Sequence, residues 1–209
     1  MNKKLAFIFT LTILFCLYIF LLSTNYAKSV SANLSSSVFR LHIIANSDSE
    51  EDQNLKLLVR DNIINYMNTL ISNSNSKNDI ISIVSNHIED FKNIALETIH
   101  SHGYNYTINI SIGNFYFPTK SYGDISFPSG HYDALKIEIG ESIGQNWWCV
   151  LFPPLCFVNS SSGVIPDDSK NILKENLNSE SYDIINSNNK NIDSSVKIKF
   201  KIVEFFNNL

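Results

Sequence analysis

The chain has 209 residues and a formal net charge of −4, with 16 Lys and Arg against 20 Asp and Glu. A nucleic-acid binder needs a positive face to neutralise phosphates, and no basic patch is present, so nucleic acid is excluded as a partner. With the first 35 or so residues set aside, the remainder is long enough for one compact domain with a real core, plus a polar segment.

Lys3 and Lys4 precede an uncharged apolar run over 5–22. As a helix rising ~1.5 Å per residue it comes close to crossing a ~30 Å hydrocarbon core. With the lysines on the cytoplasmic side, everything from Ser23 onward is exported. Residues 1–35 are therefore a signal peptide or a membrane anchor, delivered by the secretion machinery and touching the membrane through 5–22. The run exceeds the ~7–15 residues of an ordinary secretory core, yet Val30-Ser31-Ala32 offers small residues of the kind a signal peptidase accepts, and both fates stay open. Of the three Cys, Cys16 lies inside the run, so Cys149 and Cys156 alone reach the exported side. Two thiols outside a reducing cytosol are expected to pair, the alternative being two reduced packing cysteines. Six residues separate them where thioredoxin-like sites have two, which argues against a redox-active pair. No zinc-finger spacing occurs, so neither a metal nor a cofactor is expected.

From Val38 the chain reads as a strand. Phe39, Leu41, Ile43 and Ala45 form a core face, and Arg40, His42 and Asn46 form a polar strip on the other. Ser49 with Asp52, or Asp48 with Glu51, then fits a helix N-cap, and Leu55, Leu58, Val59, Ile63, Tyr66, Met67 and Leu70 continue at helical spacing. The acidic first turn, Glu50, Glu51 and Asp52, repels phosphate, and no glycine-rich phosphate loop is present. After a polar break a second helix is expected from Asp79 or Ile80 to about His100, with Gly103 as its stop.

Tyr106, Ile108, Ile110 and Ile112 alternate as a strand, Gly113-Asn114 signals a two-residue hairpin, and Pro118 and Pro128 mark strand ends. Tyr122-Gly123 and Ser129-Gly130 are turn signals. A strand over 131–139 and a loop over 140–146 follow. Then comes the least ordinary stretch, 145–157, with both Trp residues of the chain, two of its five Pro and two of its three Cys. Pro153-Pro154 removes two backbone donors and forces a corner after Trp147-Trp148. Residues 159–194 read as a flexible polar linker. Over 196–206 the pattern suits a strand or an amphipathic helix, the helix being preferred.

The expected fold class is α+β: an N-terminal hydrophobic helix, then a strand–helix–helix–antiparallel β-meander domain over 38–158, the linker, and a C-terminal amphipathic segment over 195–209. No nucleophile–base–orienter set or metal set is evident, so the chain is read as a binding or signalling protein rather than an enzyme. Trp147, Trp148, Pro153 and Pro154 are the candidate partner-binding knuckle, with Arg40, Asn46 and Asp48 a second patch. Buried core is the competing account of either Trp.

Arg40-Leu41-His42-Ile43-Ile44-Ala45-Asn46-Ser47-Asp48, followed by Asp52-Gln53, Leu55-Lys56 and Val59-Arg60-Asp61, resembles the opening block of the stage II sporulation protein R family. Phe117-Pro118-Thr119-Lys120-Ser121-Tyr122-Gly123, then Phe127-Pro128-Ser129-Gly130 with Tyr132, then Asn146-Trp147-Trp148-Cys149-Val150-Leu151-Phe152-Pro153-Pro154-Leu155-Cys156, resemble its later blocks in the same order. The resemblance covers 38–157, with a weaker similarity at 200–204. It implies a sporulation signal made in the forespore and exported to the intermembrane space. There it would activate a membrane-embedded aspartic protease of the mother cell, the sporulation sigma-E factor-processing peptidase, leading to processing of pro-sigma-E. The alternatives are an extracytoplasmic hydrolase using His42 or His131, and a structural protein of the septal intermembrane space.

Overall fold

The computed structural model describes residues 3–71, 76–156, 165 and 167–186. Its elements are α1 (Lys3–Ser37), β1 (Phe39–Ile44), α2 (Glu50–Leu70), α3 (Lys77–Asn86), α4 (Ile88–Ser101), β2 (Ile108–Phe117), β3 (Lys120–Tyr122), β4 (Ile125–Phe127), β5 (Gly130–Ile139), β6 (Asn146–Phe152), α5 (Asp167–Asn176) and α6 (Ser179–Ile185). The class is mixed α+β, as the alternation of periods implies.

Local signals account for most boundaries. Ser49 caps α2, its hydroxyl accepting from the Asp52 N–H at 3.2 Å, and Ser76 caps α3 in the same way. β2 and β4 each stop at the residue before a proline, which cannot donate to a ladder. Gly123, at φ 56°, turns β3 into β4, a conformation costly for a residue with a Cβ.

Three expectations are corrected. The single helix from 79 to 100 is two helices, because His87 at φ −112° leaves helical geometry and ends α3 by donating its N–H to Ile83 and Val84. Its ring is held by Tyr66 Oη and Asp90. Gly113-Asn114 makes no hairpin. β2 runs straight through it, paired residue by residue with β5, and Asn114 donates across the ladder to Asp133 at 2.9 Å. Part of the stretch expected as a flexible linker is folded: Ile165, Leu173, Ile184 and Ile185 of the α5–α6 region are buried. The segment 196–206 lies outside the described residues.

The main sheet has the order β2-β5-β1-β6, with β1 parallel to β5 and the other pairs antiparallel. A parallel neighbour demands a long crossover, and the helices α2 to α4 provide room for one. The expected meander does not form: β2 pairs with β5, β3 and β4 make a separate two-stranded sheet, and β1, by pairing with both β5 and β6, keeps those two consecutive strands apart. β1 is consequently buried on both faces.

Two cores result. On one face Leu41, Ile43, Leu135, Ile137 and Cys149 meet Val59, Ile63, Phe91, Ala95 and Ile99 of the helices. On the other, Phe117, Tyr132, Ala134 and Val150 meet Phe127 of the β3–β4 hairpin, Leu173 and Ile184 of α5 and α6, and Val30, Leu34 and Val38. The end of α1 therefore belongs to the domain. Its N-terminal part is long and apolar enough to cross a membrane and lies outside the fold, with Leu5 at 61 % and Phe7 at 70 % exposure. Such a segment is a signal sequence or a membrane anchor.

Candidate functional site

Successive side chains of a strand point to opposite faces, and β6 therefore divides the Trp pair. Trp147 packs on the helical face beneath the Arg60 guanidinium, 4.2 Å from its ring, and its indole N–H has no hydrogen-bond partner among the described residues. Trp148 packs on the other face, stacked on His42 at 3.7 Å and edge-on to Phe117 at 4.7 Å. Both are half-buried. The two rings do not form one knuckle.

The corner beyond them is folded back on β6. Cys149 and Cys156 are joined by a disulfide, Leu155 donates its N–H to Val150 at 3.1 Å, and the Phe152–Pro153 bond is cis. Pro153 is buried and Pro154 half-buried, with the Pro154 carbonyl accepting from Ser169 at 2.8 Å. The expected pairing of the thiols is thus present, and the proline corner is tied to α5 rather than displayed alone.

Arg40 corrects the reading of β1 as half exposed. It is fully buried, its guanidinium carbon 4.1 Å from the Phe117 ring centre, 4.8 Å from Tyr132 and 5.7 Å from Phe127. Nη2 donates to Tyr122 Oη at 2.9 Å, and Tyr122 donates onward to the Trp148 carbonyl at 3.2 Å. Among the described residues Nε and Nη1 have no hydrogen-bond partner, and there the charge is held chiefly by the negative faces of aromatic rings. Burial pushes the Tyr122 and Tyr132 hydroxyls up, which Arg40 only partly counteracts, and both stay protonated. A cage this closed cannot touch a partner.

His42 shares that interior. Burial pushes its pKa down to about 4, and the 2.6 Å hydrogen bond to Asn146 offsets this only in part. The ring is neutral at ordinary pH and lies beneath Trp148, which leaves it badly placed as a general base. His131 is exposed, with its ring edge-on to Tyr116 at 5.7 Å.

Asn46, half-buried, and Asp48, exposed, both bind the loop that follows β5. Asn46 donates to Asp52 at 2.8 Å and accepts from the Glu141 N–H at 2.9 Å; Asp48 accepts from the Gln145 N–H at 2.7 Å. Ser47 donates to Asp52 at 2.6 Å, and Lys56 donates to the Gln145 carbonyl at 2.9 Å. Burial disfavours the Asp52 anion, but hydrogen bonds from Ser47, Asn46 and Tyr106 outweigh it and hold the carboxyl below its usual range. Burial likewise lowers the Lys56 ammonium. Together these groups brace the loop over 140–145 between β5 and β6. The loop was legible in the sequence; that its two glycines are pressed against the β1–α2 turn was not.

Among the described residues, no group of three or more His, Cys, Asp and Glu side chains is placed to hold a metal ion. The geometry describes an α+β domain led by an apolar helix, with closed polar clusters and a braced loop. The sequence profile described as Stage II sporulation protein R (spore_II_R) matches residues 35–162, and the chain is 33 % identical over 219 residues to Stage II sporulation protein R of Bacillus subtilis (strain 168), covering 95 % of this chain and 98 % of that protein. The chain belongs to the stage II sporulation protein R family and is a sporulation protein. No solved structure matches it.

Proposed function

We propose that the chain is an exported signal rather than an enzyme: made in the forespore, delivered to the intermembrane space, and activating a membrane-embedded aspartic protease of the mother cell, with processing of pro-sigma-E as the result. The observation that carries this reading is the match to one family member over 95 % of this chain, combined with an apolar helix running straight into the core of the domain. A domain so attached works at a membrane surface, where an integral-membrane protease is within reach.

Activation needs no chemistry from this chain. A ligand shifts a receptor between states only by its differential affinity for them, so a folded surface that fits the active assembly better is sufficient. The deciding experiment co-expresses the full chain with the protease and its pro-factor in a non-sporulating host and scores pro-factor cleavage. Cleavage that requires this chain and the protease together supports the reading. Cleavage that is equal without the chain, or absent with all three present and folded, overturns it.

A further inference from the structure

The loop between β5 and β6 displays an apolar side chain that no described residue covers. Ile143 is 77 % exposed, above Tyr116 at 44 % and Leu58 at 38 %, which sit on regular elements where single exposed apolar residues need no explanation. What sets Ile143 apart is how firmly it is held. Its own N–H donates to Asn46 at 3.3 Å, and the next N–H, of Gly144, donates to Ala45 at 3.0 Å. Ser142, just before it, takes φ 51°, a conformation residues with a Cβ seldom adopt. The glycines on either side could not be larger: a Cβ at Gly140 would lie 2.2 Å from Asn46 Oδ1, and one at Gly144 would lie 2.1 Å from the Ser47 carbonyl. With Asn46, Asp48 and Lys56 also bound to the loop, a backbone strain and several polar groups are committed to presenting one isoleucine to solvent.

The rim around it is acidic. Glu141 and the neighbouring turn's Asp48, Glu50 and Glu51 are exposed, whereas Lys56 is buried with its ammonium turned to Gln145 and Gln53. A bilayer with anionic headgroups repels such a rim. We infer that Ile143 is the anchor of a protein-docking surface, seating in an apolar socket whose edge is basic, on the extracytoplasmic side of the receptor. This deepens the proposed function and rests on it for the receptor's identity, but not for the surface itself.

The test introduces the full chain into a sporulating host lacking its own family member and counts heat-resistant spores. Ile143→Asp is expected to lower spore yield about 30-fold or more, the loss typical of a central anchor, while Ile143→Leu restores it and both variants melt like the wild type. Glu51→Lys combined with Glu141→Lys is expected to lower yield less, and Leu58→Asp, at an exposed position of α2, to leave it unchanged. Normal spore yield with Ile143→Asp overturns the inference. So does a higher yield with the charge reversals, which would mean that the loop meets an anionic bilayer. The protease co-expression separates the two proposals: if Ile143→Asp fails in spores while the wild type does not activate the protease, the docking surface stands and the protease is the wrong receptor.

Discussion

One face of the central sheet meets α2, α3 and α4 through residues such as Val59, Ile63, Phe91 and Ala95, while the opposite face buries Arg40 and His42 among Phe117, Tyr132 and Trp148 and is covered by the end of α1, the β3–β4 hairpin, α5 and α6. The first is an amphipathic-helix layer on a sheet, where each helix offers an apolar stripe at its own period. The second is assembled from short pieces far apart in the chain, and two cation-forming side chains fill its middle. The contrast teaches that a buried polar residue here is a packing element, with aromatic rings in place of a counter-ion.

The largest expected effects test whether the two faces are equally part of the fold. Phe91→Ala on the helical face should cost about 3–5 kcal/mol, and Leu34→Ala, at the end of α1 on the other face, about 2–5 kcal/mol, since both side chains are fully buried. Thermal melts of the full chain in detergent measure both. A negligible loss at Leu34 would mean that α1 is only a tether and that the second face is closed without it.

A smaller effect concerns pH. The folded protein protonates His42 only near pH 4, whereas the unfolded chain does so near pH 6.5. Between those values the unfolded state binds the extra proton, so stability falls as pH drops from 6.5 to 4 and is independent of this group above 6.5. Melting temperature against pH should show that decline, and His42→Gln should flatten it. Asp52 has the depressed pKa of a hydrogen-bonded carboxylate, so its contribution is present above the ordinary carboxylate pKa and is lost only as pH falls through its lower folded value. The two groups therefore act in separate windows, and acid loss confined to pH below 4 would place the burden on the braced loop instead of the aromatic face.

The smallest effect is expected at the cage itself. Replacing a buried charge by an apolar group of similar volume is often neutral or stabilising, and among the described residues two nitrogens of Arg40 have no hydrogen-bond partner. Arg40→Met should change stability by within about 1 kcal/mol, where Arg40→Ala, which opens a hole among three rings, should cost more. A large loss with Met would show that the cation–π contacts carry the second face, and would sharpen the difference between the two.

Much of the architecture was legible residue by residue. Ser49 as a cap, Pro118 and Pro128 as strand ends, Tyr122-Gly123 as a turn, and the pairing of Cys149 with Cys156 all follow from chemistry acting over a few bonds or from the compartment. Gly113-Asn114 misled because a turn dipeptide also fits a straight strand when its partner, here β5, supplies an unbroken ladder. His87 was invisible as a break because the stripe of Ile80, Val84, Phe91 and Ala95 keeps a helical spacing across it. The candidate site was half legible: the residues singled out at Asn46 and Asp48 do cluster with 140–145, but as braces, and Ile143, which they present, carried no signal of its own beyond two flanking glycines.

Taken alone, the order of residues determined the leader, the class of fold, the caps and strand ends, and membership of a family. Tertiary structure decided what each side chain is for. Alternation along β1 announces two faces but cannot say that both are covered, because the cover comes from α1, β3–β4 and α5–α6, whose arrival depends on contacts across the whole chain. Arg40 and His42 are interior for that reason, Trp147 and Trp148 are parted by the pleat, and Ile143 is left outside because Ala45, Asn46, Asp48 and Lys56 hold the loop that carries it.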